Sequence, residues 1–261
     1  MPPPRCNQRI ARGFGFTLAE VLVTLGIIGV VSALTLPALI QKHRKMVTET
    51  NLKKAYSELY QLLKRSEADN GEAVTWDWES LKPYNAESSE IFFQKYFQPY
   101  LTVTDKKQSY GSPNTLTYLI YTANDDLSGS TNWFWNNGNN AKWTELPDGS
   151  AILFNYSSTG VHATYGTFTV ILASARNKKK LIVGKDVFAF TMRKQGNNNT
   201  IISPYNYQDW SCPHIDKYRT DFLKACRGET ISSSGIPSTS YCTSLIYCND
   251  WKIPEDYSIR F

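Results

Sequence analysis

Glu20 is the only ionisable side chain in an apolar run of 25 residues, Phe16 to Ile40. A carboxylate near the start of a membrane helix costs roughly 3 kcal/mol unless a partner relieves it, so its chemistry is ion pairing or hydrogen bonding at close quarters. Cys212, Cys226, Cys242 and Cys248 offer a second chemistry, confined to the last fifth of the chain. An even, clustered set predicts two disulfides in an oxidising compartment, with three connectivities open. Zinc is the alternative, with His214 beside Cys212, although no pair has C-x2-C spacing.

Two loops offer weaker chemistry. Asn132 to Asn140 holds Trp133, Phe134, Trp135 and five asparagines, and Gln195 to Asn199 is a second amide-rich turn. Aromatics beside amides can stack on and hydrogen-bond a sugar, and the same composition suits a long loop whose aromatics fold onto a sheet. Asp125, Asp126 and Asp148 could supply calcium oxygens, without a D-x-D-x-D-G array. The histidines are scattered at His43, His162 and His214, and the chain has no Gly-x-Ser-x-Gly, P-loop or His-Glu-x-x-His. No converging catalytic set is visible, so the sequence reads as non-enzymatic, with no cofactor and no metal.

The elements that position these groups follow from periodicity. The run from Phe16 to Ile40 spans the ~30 Å core of a bilayer at about 1.5 Å per helical residue. Leu52, Ala55, Tyr56, Leu59, Leu62 and Leu63 then recur at three- and four-residue steps, which predicts one helix from Thr17 to Asn70, kinked near Pro37 and stopped at Asn70-Gly71. A second helix is expected over Ser89 to Gln98, capped by Ser88 or Ser89, with Ile91, Phe92, Tyr96 and Phe97 on its packed side. Strands are expected at Leu116 to Tyr121, Trp143 to Leu146, Ala151 to Tyr156, Phe168 to Ala173 and Val187 to Met192, forming an antiparallel set with a hairpin at Pro147-Asp148-Gly149. Ala175 to Lys180 reads as a loop. In the tail a helix is expected over Pro213 to Ala225 with Cys212 at its cap, then an irregular stretch, with cross-links replacing a core the tail cannot build.

Arg5, Arg9 and Arg12 precede Gly15-Phe16-Thr17-Leu18-Ala19-Glu20, with no acid before Glu20. This arrangement resembles the type IV prepilin and type II secretion pseudopilin family. The resemblance implies cleavage after Gly15, N-methylation of Phe16, and Glu20 as the fifth mature residue, where it would meet the Phe16 ammonium of a neighbouring subunit and register helices in a filament. A cut after Gly13 would put Leu18 fifth. An ordinary secretory signal fits worse, because the run is too long and no Ala-x-Ala site follows; a signal anchor with Glu20 at the interface is the alternative.

The implied organisation is a leader (1–15), a transmembrane half-helix (16–40), an amphipathic half-helix (41–70), a pilin-like α/β head (71–204) and a cysteine-containing tail (205–261). The implied fold class is α+β, a long N-terminal helix packed on an antiparallel sheet. The implied function is a structural subunit of a pilus or pseudopilus, its length leaning toward a minor one, with other pilin subunits, the prepilin peptidase, an assembly platform with its ATPase and the inner membrane as partners. A membrane-tethered or pilus-tip adhesin using Trp133, Phe134 and Trp135 is the rival. Lys42, His43, Arg44 and Lys45 oppose an external head by the positive-inside rule; the clustered cysteines and the leader favour it. Without the leader's three arginines the net charge of +5 falls to +2, no footprint for nucleic acid.

Overall fold

The computed structural model describes residues 15–78, 80–83, 85–101, 119–121, 141–159, 164–175, 178, 180–195, 199–205, 212–229, 241–257 and 259–261. The chain divides into two compact units, Met1–His43 and Arg44–Phe261. The fold is α+β, as the sequence implies. Helix α1, Leu18–Asn70, runs unbroken through Pro37. Its stretch in the first unit is long and apolar enough to cross a membrane, and none of its apolar window is buried.

In the second unit α1 turns a seam inward, burying Thr48, Leu52, Ala55, Leu59, Leu62, Leu63 and Ser66. These recur at three- and four-residue steps, so one stripe of the helix feeds the core while Lys53 and Lys64 stay outside. Gly71, at φ +78°, ends the helix where a side chain would be strained. The Asn70 amide donates to the Ser66 carbonyl at 3.0 Å and to the Tyr100 hydroxyl at 3.0 Å. Trp76 and Trp78 then fold back, their indole N–H groups donating to the carbonyls of Gly71 and Ala73.

Helix α2 spans Ala86–Tyr96 and is capped by Asn85, whose side chain accepts the Ser88 N–H at 3.0 Å. The expected serine caps lie inside the helix instead. Ser89 is fully buried, and its hydroxyl accepts the backbone N–H of Tyr156 at 3.0 Å. The packed side is Phe92, Phe93, Tyr96 and Phe97, whereas Ile91 is 45% exposed. Phe93 lies one turn before Phe97 on the same stripe and is turned inward with it, whereas Ile91 falls to the edge of that stripe.

Among the described residues seven strands follow: β1 (Leu119–Tyr121), β2 (Ala141–Glu145), β3 (Ala151–Thr159), β4 (Thr164–Ile171), β5 (Lys180–Ile182), β6 (Val187–Gln195) and β7 (Asn199–Pro204). Five form an antiparallel sheet in the order β2-β3-β4-β6-β7. Strand β1 lies outside it, paired in parallel with β5, which corrects its expected place in the antiparallel set. Both β5 and β7 were absent from the strand pattern.

Strand alternation gives the sheet two unlike faces. Phe154, Tyr156, Phe168, Val170, Phe188, Phe190, Met192 and Ile202 share the core with α1 and α2. Their rings interlock: Phe97 lies 5.1 Å from Phe154 and 5.3 Å from Phe168, both edge to face. Such pairs contribute roughly 0.5–1.5 kcal/mol each beyond the area they bury. The opposite face carries Asn155, Thr167, Thr191 and Ser203 in one cross-strand row, all buried.

Candidate functional site

Two places hold the chemistry seen in the sequence. At the first, the start of α1, Glu20 is not left alone. Its Oε2 accepts the backbone N–H of Thr17 at 2.8 Å and the Thr17 hydroxyl at 2.7 Å. In return the Glu20 N–H donates to Thr17 Oγ1 at 3.2 Å. This reciprocal capping box satisfies donors that a helix N-terminus otherwise leaves open. Within one chain, Thr17 thus supplies two hydrogen-bond donors to the carboxylate. The signal was present in the sequence as Thr17-x-x-Glu20, one turn apart. Gly15 and Phe16 precede the box, both exposed, Phe16 at 87%.

The second place is the tail, where three helices gather the cysteines: α3 (Cys212–Lys217), α4 (Arg219–Arg227) and α5 (Tyr241–Cys248). Cys212 bonds Cys248 and Cys226 bonds Cys242, with Cα atoms 5.3 and 4.9 Å apart. The connectivity is nested, a 16-residue loop inside a 36-residue one. With all four sulfurs paired, zinc loses its thiolates, and the His214 ring packs 4.6 Å from the Tyr218 ring. Among the described residues no group of three His, Cys, Asp or Glu could hold a metal.

The tail differs from expectation in three ways. The expected single helix breaks at Tyr218 into α3 and α4, and Cys212 is helical rather than a cap. Residues Tyr241–Cys248, expected to be irregular, form α5. The tail also joins the core of the second unit, since Ala225, Cys226, Tyr241, Cys242, Leu245 and Ile246 are all at most 2% exposed and belong to one buried cluster with the sheet and α1. Burial of that face outweighs the weak helix preference of Tyr, Cys, Thr and Ser in α5.

The tail is tied to the rest of the second unit at several points. The Ala189 N–H donates to Thr243 Oγ1 at 3.2 Å, and the Tyr257 hydroxyl donates to the Gly184 carbonyl at 2.7 Å. Burial pushes the Tyr257 phenol far above its ordinary range. The Ile253 N–H donates to Glu49 Oε1 at 2.8 Å, and Trp251 packs 4.7 Å from Tyr56 on α1.

Asp148 is committed to its turn. It accepts the Ser150 N–H at 2.9 Å and the Lys54 ammonium at 2.8 Å. Burial raises its pKa, but the bonds from Lys54 and Ser150 outweigh that and hold it below the usual carboxylate range. A cleft of about 600 Å³ beside this turn is lined by Lys54, Glu58, Arg65, Tyr100, Pro147 and Asp148. Its ammonium and carboxylates pair with one another, Lys54 also reaching Glu58 at 3.6 Å. Trp133, Phe134, Trp135, Asp125, Asp126 and His162 lie outside the described residues.

No curated protein and no solved structure matches this chain. Residues 38–261, well over half of the chain, match the model of a family described as Family of unknown function (DUF6613). The chain belongs to that family.

Proposed function

We propose that this chain is a pilin-like structural subunit of a type IV pilus or a type II secretion pseudopilus. A prepilin peptidase would remove residues 1–15 and methylate Phe16, and α1 would hold the subunit in the inner membrane until it is drawn into the filament. The observation that carries this is the position of Glu20. It is the fifth residue after Gly15, at the mouth of an apolar helix whose first unit is exposed along its length. An apolar surface of that extent needs lipid or other helices around it. A disulfide-stapled tail supports a head outside the cytoplasm, where cystines persist. The matched family segment begins at residue 38, so the processing motif stands beside the family match rather than within it.

Mass spectrometry of the N-terminal peptide from the membrane fraction tests the proposal. The expected peptide begins at N-methylated Phe16. A chain that keeps Met1 in cells with a working prepilin peptidase would refute it.

A further inference from the structure

A run of cations follows the apolar stretch along α1. After Ile40 the helix reads Gln41-Lys42-His43-Arg44-Lys45, and from Val21 to Thr48 it contains no acid. Arg44 follows Ile40 by four residues in the same helix, about 6 Å along its axis. That rise matches the roughly 5–7 Å thickness of the headgroup layer on each side of a bilayer.

Three further cations of the second unit gather here. Lys185, in the turn between β5 and β6, donates to the Arg260 carbonyl at 2.6 Å and lies 5.7 Å over the Phe261 ring. Lys178 reaches Asp186 at 2.6 Å. Burial holds the Lys185 ammonium below the ordinary lysine range. Repulsion from Lys178 and Arg44 adds to this, against the pull of Asp186. Among the described residues Asp186 is the only acid felt by Lys185, and it is itself bonded by Lys178 and by the Ile182 N–H at 3.0 Å. Arg44 and Arg260 are exposed. Glu49, the first acid of α1 beyond the cluster, is bonded to Ile253.

We propose that Arg44, Lys178, Lys185 and Arg260 form a collar that binds anionic phospholipid headgroups at the surface of the membrane holding α1. Like charges held together repel one another, and a phosphate placed among them turns that cost into attraction. A diester phosphate also accepts from several donors at once, which suits ammonium and guanidinium groups on three different segments. The collar rests on the membrane-anchored part of the function proposed above, and not on filament assembly.

The test uses the full chain reconstituted in phosphatidylcholine vesicles, with spin-labelled phosphatidylglycerol or phosphatidylcholine reporting which lipid sits against the protein. Wild type is expected to favour phosphatidylglycerol by at least about fivefold at low salt, the factor one cation supplies at an anionic surface. The preference should vanish near 1 M salt, where the screening length falls to about 3 Å. Arg44→Gln/Arg260→Gln alters two exposed side chains and should lower the preference without disturbing the fold; Lys185→Gln should lower it further.

Equal association of both lipids with wild type, or a preference the variants leave intact, overturns the collar. Variant-sensitive association of copies in pure phosphatidylcholine, without lipid preference, also overturns it and assigns the cations to a neighbouring subunit. Resistance of the reconstituted chain to carbonate extraction is read separately. A chain that washes off refutes the anchor, whereas one that stays inserted without lipid preference refutes only the collar.

Discussion

Gly184 sits against the sulfur of Cys242, so closely that a β-carbon at position 184 would lie 2.5 Å from Cys242 Sγ. The same carbon would meet Ile259 Cδ1 and the Tyr257 hydroxyl, each at 2.7 Å. The turn between β5 and β6 therefore forms part of the socket for the inner disulfide and the C-terminal segment. Its φ of +81° is a second reason for glycine.

Gly184→Ala is accordingly expected to cost about 3 kcal/mol, the sum of a strained backbone and an overpacked contact. Chemical denaturation measures the loss. Protease cleavage after Trp251 should become faster than cleavage within β3 or β4, because the crowded atoms belong to the tail. A variant as stable as wild type would show that the socket yields.

The two disulfides are expected to differ in reactivity. Cys226 and Cys242 are at most 1% exposed, whereas Cys212 and Cys248 are partly accessible. A thiolate attacks only a sulfur it can reach. Mild reductant followed by alkylation and peptide mapping should label Cys212 and Cys248 first. Closing loops of these lengths restricts the unfolded chain by roughly 3–4 kcal/mol each, so reduction of the inner pair should coincide with loss of tail structure. Simultaneous labelling of all four cysteines in the folded head would contradict this order.

Trp251 joins the tail to α1 through Tyr56, with Tyr247 5.2 Å away on its other edge. It is half-buried, so Trp251→Ala is expected to cost about 2 kcal/mol, below the roughly 3–5 kcal/mol of a fully buried aromatic. Hydrogen exchange should rise at the Ile253 N–H, which is bonded to Glu49. Unchanged protection there would mean that the tail docks independently of the aromatic contact.

Much of this architecture is legible in the sequence because it follows from repetition. The three- and four-residue steps of Leu52, Ala55, Leu59 and Leu62 mark the buried seam of α1, and Pro147-Asp148-Gly149 marks the hairpin between β2 and β3. What escapes is whatever a tertiary partner decides. Ser88 and Ser89 have the chemistry of caps, yet Asn85 caps α2 because the Ser89 hydroxyl is needed by the Tyr156 N–H inside the core. Helix α5 has a poor local helix signal and forms where two cystines and a buried face hold it. Strand β7, with Asn199 at one end and Pro204 at the other, is an edge strand that propensity undervalues. At Glu20 the Thr17-x-x-Glu20 signature was readable, but the apolar surroundings direct attention to a partner on another chain.

Acid sensitivity should come partly from Asp256. Bidentate bonding to Arg219, at 2.6 and 2.8 Å, holds its carboxyl below the ordinary range, more than offsetting burial. A depressed folded pKa means that the unfolded chain binds the proton more readily. The contribution is thus fully present above the unfolded value near 4 and fades as pH falls through the folded value. The pair is 33% and 47% exposed, so solvent screening limits it to under about 1 kcal/mol. Asp256→Asn should lower stability at neutral pH by that amount and flatten the stability curve below about pH 4. Parallel curves for variant and wild type across that window would exclude the pair as a source of acid sensitivity.

The capping box makes a further prediction about assembly. If Glu20 registers helices by meeting the Phe16 ammonium of a neighbour, it must satisfy Thr17 in the free chain and a cation in the filament. Glu20→Gln keeps an acceptor for the Thr17 N–H and removes the charge, whereas Thr17→Val keeps the charge and removes the hydroxyl. Under the proposed function, Glu20→Gln is expected to preserve cleavage and membrane insertion while greatly reducing the protein recovered in sheared filaments. Thr17→Val should insert and assemble, since the backbone N–H of residue 17 still reaches the carboxylate. Equal loss in both variants would instead assign Glu20 the role of a helix cap alone, and normal assembly of Glu20→Gln would remove the charge from the mechanism.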